Sequence, residues 1–99
     1  MEGEEPRRNL PPPPCPDQFA NRADFGATGI RWGTGERAAL ERMRSLTREE
    51  LQSIGVTRVM AQQWADFYRH VVLLHPANES ARGRTVLMQF AADQLSEEP

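Results

Sequence analysis

Val56-Thr57-Arg58-Val59-Met60-Ala61-Gln62-Gln63-Trp64-Ala65-Asp66-Phe67-Tyr68-Arg69-His70-Val71-Val72-Leu73-Leu74-His75-Pro76 is the stretch whose periodicity decides the fold. Met60, Trp64, Phe67, Val71 and Leu74 stand 4, 3, 4 and 3 residues apart. That spacing is one stripe of an α-helix, and so apolar a stripe requires burial. Thr57 offers a hydroxyl cap at the start. Pro76 lacks an N–H and disfavours helical dihedrals at His75, so it ends the element. The spacing predicts one long helix, the central helix of a small helical domain.

Upstream of it, Leu46-Thr47-Arg48-Glu49-Glu50-Leu51 combines a capping box, Thr47 with Glu50, and a hydrophobic staple, Leu46 with Leu51. A short helix is predicted there, ending at Gly55 as a left-handed residue past its C-terminus. Another helix is predicted over residues 36–45, with Ala39, Leu40, Met43 and Leu46 as its apolar stripe and Arg37 and Glu41 as an exposed pair. Downstream, Asn78 or Ser80 caps a last helix that turns Val86, Leu87, Phe90, Ala91 and Leu95 inward. Gly83 within it costs about 1 kcal/mol relative to alanine, which a close helix contact or a later helix start would explain. The fold class expected is all-α, a compact array of about four helices.

Beyond the helices the chain changes character. Phe25, Ile30 and Trp32 alternate with Gly26, Gly29, Gly33 and Gly35, which suggests an irregular strap laid over the helices with its large residues as anchors. Residues 1–23 form an acidic, proline-rich lead. Its run Pro11-Pro12-Pro13-Pro14 favours extended polyproline II, so the lead is expected to be a disordered spacer and the folded domain to span residues 24–96. Cys15, the single cysteine, is expected to be an exposed thiol without a disulfide partner.

Charge narrows the function classes. All 12 basic residues are arginine, the net charge is −2, and between residues 33 and 95 eight arginines meet seven acids. So neutral a domain lacks the basic footprint of a protein that holds nucleic acid through its phosphates. No apolar run has the length of a membrane span, and the N-terminus lacks the order of a signal peptide, so a cytoplasmic location in the producing cell is expected. Gly33, Gly35 and Ala38 match G-x-G-x-x-A, but no strand precedes them and no acidic residue stands about 20 positions on. The helix, glycine turn and helix over residues 47–74 have a helix-turn-helix outline. The core stripe leaves only Arg58, Gln62, Gln63 and Arg69 for an outward reading face. His70 and His75 are five apart, which is not the spacing of two metal ligands on one helix face; neither metal nor cofactor is expected.

One grouping of residues could form a site. The strap offers Arg31 and Trp32, the long helix Tyr68, Arg69 and His70, and the last helix Arg82 and Arg84. If the three segments converge, Tyr68, His70 and Arg84 are the candidate catalytic set and Arg31, Trp32, Arg69 and Arg82 the binding set. Such a site suits metal-independent attack on a phosphodiester or another anionic substrate.

The ordered string Trp32-Gly33-Thr34-Gly35, residues 46–51, Gly55-Val56-Thr57, Ala61-x-x-Trp64-x-x-Phe67-Tyr68 and His75-Pro76-Ala77-Asn78-x-Ser80-Ala81-x-Gly83-Arg84-x-x-Leu87-Met88 resembles a small helical domain at the C-termini of Rhs-repeat and PAAR-type bacterial polymorphic-toxin proteins. The resemblance spans residues 25–95. It implies an antibacterial effector delivered by a type VI or related secretion route into a target cell, with a cognate immunity protein as partner and a carrier or chaperone of the secretion system as another. It assigns no catalytic residues. The alternative from composition is a non-enzymatic helical interaction or accessory module.

Overall fold

Local capping sets most of the helix boundaries. The computed structural model describes residues 11–96. A short helix α1 (Arg22–Asp24) runs on as a π-helical turn (Phe25–Ile30), followed by α2 (Glu36–Ser45), α3 (Arg48–Ser53), α4 (Arg58–Leu74) and α5 (Glu79–Leu95). The fold is all-α, with no strand among the described residues. Thr47 accepts the N–H of Glu50 and Thr57 that of Met60, both at 3.1 Å, while Asn78 accepts that of Ala81 at 3.0 Å. Each side chain satisfies a donor the first helical turn leaves open. Gly55 takes the left-handed conformation, φ 86°, as predicted for the turn between α3 and α4. Of the expected capping box only half forms, because the Glu50 carboxylate turns to Arg31 and Arg42. Ser80 does not cap α5. Its hydroxyl accepts the N–H of Gly35 at 2.7 Å and ties the strap to that helix.

The helix at the centre of the packing is α5 rather than α4. It lies against α4, α2 and α3, and buries Ala81, Gly83, Leu87, Met88, Ala91 and Ala92. Four of these are alanine or glycine, and small side chains let neighbouring helices approach from two sides. At Gly83 the approach is to backbone: a Cβ there would stand 2.8 Å from Glu36 Cα. The close-contact reading of Gly83 therefore holds. The buried face of α4 comprises Ala61, Trp64 and Ala65, rotated from the line of its largest side chains. Leu74, expected inside, is 43% exposed, and so is Val86 at 44%. Packing followed the positions where helices come close, and Met88 took the inward place expected of Val86.

The strap and the lead also differ from expectation. Phe25, Ile30 and Trp32 are buried as anchors, but the first half of the strap is helical. It closes at Arg31, whose left-handed backbone, φ 61°, directs its N–H to Gly26 O at 2.8 Å. The domain does not begin at residue 24. Pro13 and Pro16 are buried, Cys15 and Phe19 pack against the core, and Trp64 Nε1 donates to Pro14 O at 3.0 Å. Cys15 is thus half-buried rather than an exposed thiol. A proline has no N–H to satisfy, so a proline run can lay its rings on an apolar surface while its carbonyls accept from side chains. The first ten residues of the expected lead lie outside the described residues.

Candidate functional site

Every aromatic side chain except Phe90 joins one cluster. Trp64 of α4 stands at its middle, with ring centroids of Phe25, Trp32, Phe67 and Tyr68 each 5.8 Å away. Trp32 meets Tyr68 edge to face at 5.4 Å, and Phe19 meets Phe25 likewise at 5.4 Å. These separations are favourable for aromatic pairs, so the cluster is a rigid block joining the lead, the strap and α4.

A cleft of about 580 Å³ opens over this block. Its lining includes Pro12, Arg22, Trp32, Thr34, Phe67, Tyr68 and Arg84. The Arg84 guanidinium lies 4.7 Å from the Trp32 ring centroid and 5.6 Å from that of Tyr68. It donates through Nη2 to Gly33 O at 2.8 Å and weakly through Nη1 to the Tyr68 hydroxyl at 3.5 Å. Its Nε is buried without a partner among the described residues. Arg22 enters from α1 and donates through Nε to Pro13 O. The lining holds no acidic residue. Burial pushes the Tyr68 phenol above its usual pKa, and the positive charge of Arg84 offsets only part of that, so the phenol stays protonated at neutral pH.

The structure brings together Trp32, Tyr68 and Arg84, and does not bring the other predicted site residues to them. Arg31 turns to Glu50 at 3.1 Å, beside Arg42. Arg69 pairs with Asp66 at 2.8 Å and reaches Gln89 at 3.0 Å, where it lines a different groove with Met43, Val86 and Phe90. Arg82 binds Pro76 O and faces Glu36 at 3.4 Å. His70 is half-buried and does not line the cleft. A helix advances about 100° per residue, so neighbours such as Tyr68, Arg69 and His70 point to different sides, and one site cannot take all three. Candidates from sequence proximity along α4 therefore separate in space.

Two arginines were missed by sequence reasoning. Arg22 lay in a segment expected to be a spacer, although Asn21 caps Asp24 N–H at 2.8 Å and the Asn21-x-x-Asp24 spacing signals a helix start there. Arg42 sits beside Met43 on α2 and is 9% exposed. It donates to Ile30 O at 2.6 Å, to Ser45 Oγ at 2.9 Å and to the Glu50 carboxylate. Its role is to fasten the π-helical turn and α3 to α2.

A family model described as a domain of unknown function, DUF4951, matches residues 2–95. The fold is similar to the NMR structure of a protein from Acinetobacter baumannii, 27% identical, with a TM-score of 0.72 over 95% of this chain and 90% of that one. No curated protein matches the sequence.

Proposed function

The chain belongs to the DUF4951 family, and from that premise we propose that it acts by binding, its cleft receiving the anionic group of a ligand or partner. The observation that carries this is the chemistry of the lining: two guanidinium groups, Arg22 and Arg84, with no carboxylate among them. Guanidinium groups donate and never accept a proton, and the Tyr68 phenol is held in its protonated form. The cleft thus offers donors to an anion but no group to take a proton from a nucleophile at neutral pH, so its chemistry favours capture over turnover. A two-dimensional NMR titration with acetate and with inorganic phosphate at fixed ionic strength tests it. Saturable shifts are expected at the Trp32 and Trp64 indole N–H signals and the amides of Gly33 and Thr34, and they should vanish on replacing Arg22 and Arg84 together by glutamine. Shifts scattered over the surface arginines would refute a cleft site.

A second reading, for the setting in which binding operates, is supported by the resemblance of the ordered string of residues to polymorphic-toxin effector domains. We infer a delivered effector module, held inactive by a cognate immunity protein that meets it tightly. Expression alone should arrest bacterial growth, and co-expression of the protein encoded by the adjacent gene should relieve the arrest. Unimpaired growth on expression, with the protein folded and abundant, would remove this setting and leave an accessory interaction module.

A further inference from the structure

We propose that the ligand of the cleft is a carboxylate attached to an aromatic or similarly flat apolar group, of the kind found at the C-terminus of a peptide ending in such a residue or in a small aromatic acid. It rests on the binding function proposed above and narrows the class of anion. Three observations carry it. First, the donors left over are cationic. Arg84 already gives Nη2 to Gly33 O, and Arg22 gives Nε to Pro13 O, so what remains are the other Nη edges of the two guanidinium groups and the Arg84 Nε, which is buried without a partner among the described residues. Among the described residues, Nη1 and Nη2 of Arg22 have no partner. A carboxylate, with two acceptor oxygens and a single charge, is met in bidentate fashion by one such guanidinium edge. Second, the walls are apolar: Phe67, Tyr68, Pro12, Ala23 and Ala27 line the cleft over a floor of buried Trp32 and Trp64. A flat apolar group gains from such walls, and an isolated inorganic ion does not. Third, about 580 Å³ fits a ligand of one or two amino-acid residues, well beyond a single anion.

The chain contains two tryptophans, and both line the cleft, so intrinsic fluorescence reads its occupancy directly. The probes are N-acetyl-phenylalanine, its neutral amide, inorganic phosphate, and a short peptide ending in phenylalanine with a free or an amidated C-terminus, each titrated into the full chain. The free carboxylates should change the fluorescence saturably with a Kd of about 1 mM or tighter, and the amides should bind about tenfold or more weakly. Arg22→Gln, at an exposed position, should weaken the carboxylates about tenfold, as expected for one lost charge-assisted bond. Arg84→Gln should do the same and is accompanied by a thermal melt, because Arg84 also packs on Trp32. Tighter binding of the peptide than of the amino acid would uphold the proposal and mark a protein C-terminus as the source. Equal affinities would uphold it and mark a small acid. Amides binding as well as acids would overturn it. Saturable binding of phosphate without the carboxylates would overturn it and leave the anion-binding function standing. Binding of none of the probes would overturn both.

Discussion

A buried arginine must find acceptors for its donors or lose more through desolvation than its charge returns. Arg42 meets this with Ile30 O, Ser45 Oγ and the Glu50 carboxylate. Arg42→Met should cost about 2–3 kcal/mol in urea unfolding, because Ile30 O loses its donor and Glu50 its main partner. An unchanged midpoint would show that the contact is incidental. The pair also sets a pH dependence. The Glu50 pKa is lowered, first by the hydrogen bond from Arg42, against a smaller upward pull of burial, and further by the charges of Arg42 and Arg31. A carboxylate whose pKa falls on folding contributes stability above its unfolded value, about 4.3, and that contribution is lost as pH falls through the folded value. Glu50→Gln should therefore be less stable than the parent at pH 7 and should lose less stability on acidification below about pH 4.3. Parallel pH curves for the two proteins would mean that Glu50 contributes nothing.

At the scale of elements, the contact of α5 with α2 can be tested through a substitution whose local and tertiary effects have opposite signs. In an isolated helix, alanine in place of glycine stabilises by about 1 kcal/mol. At Gly83 the added Cβ would lie 2.8 Å from Glu36 Cα and 2.9 Å from Glu36 O, and backbone atoms cannot step aside as a side-chain tip can. Gly83→Ala should consequently destabilise by about 1–3 kcal/mol, measured by thermal or urea unfolding. A stabilised variant would indicate that α2 and α5 separate at little cost.

For the whole molecule, the question is whether the proline segment belongs to the fold. Pro13 and Pro16 are buried whereas Pro11 and Pro12 are exposed, and this contrast supplies its own control. Proline-to-serine changes loosen the unfolded chain equally at either pair, so the difference between pairs isolates the native contacts. Pro13→Ser with Pro16→Ser should lose about 2 kcal/mol more than Pro11→Ser with Pro12→Ser, the loss expected for two buried apolar side chains. Equal losses would return the segment to the role of a spacer.

Caps and turns from α2 onward were legible in the sequence because they depend on residues within one turn of each other: Thr47, Gly55, Thr57, Asn78 and Pro76 act locally. Which side of each helix is buried depends on partners distant in sequence, so periodicity alone points Leu74 and Val86 inward and does not single out Met88. The candidate site was legible in part. Trp32, Tyr68 and Arg84 meet because an aromatic block and a cation above it are mutually favourable, whereas Arg31, Arg69 and Arg82 each found a nearer acid. Sequence by itself determined an all-α chain and the boundaries of α2, α3 and α4, since backbone hydrogen bonding and capping are short-range, but not the helical turns over residues 22–30. Only the tertiary structure decided that α5 is the hub, that residues 11–16 are part of the domain, and that Arg22 and Arg84 share one cleft. Those outcomes follow from packing of surfaces that meet only after the chain has folded.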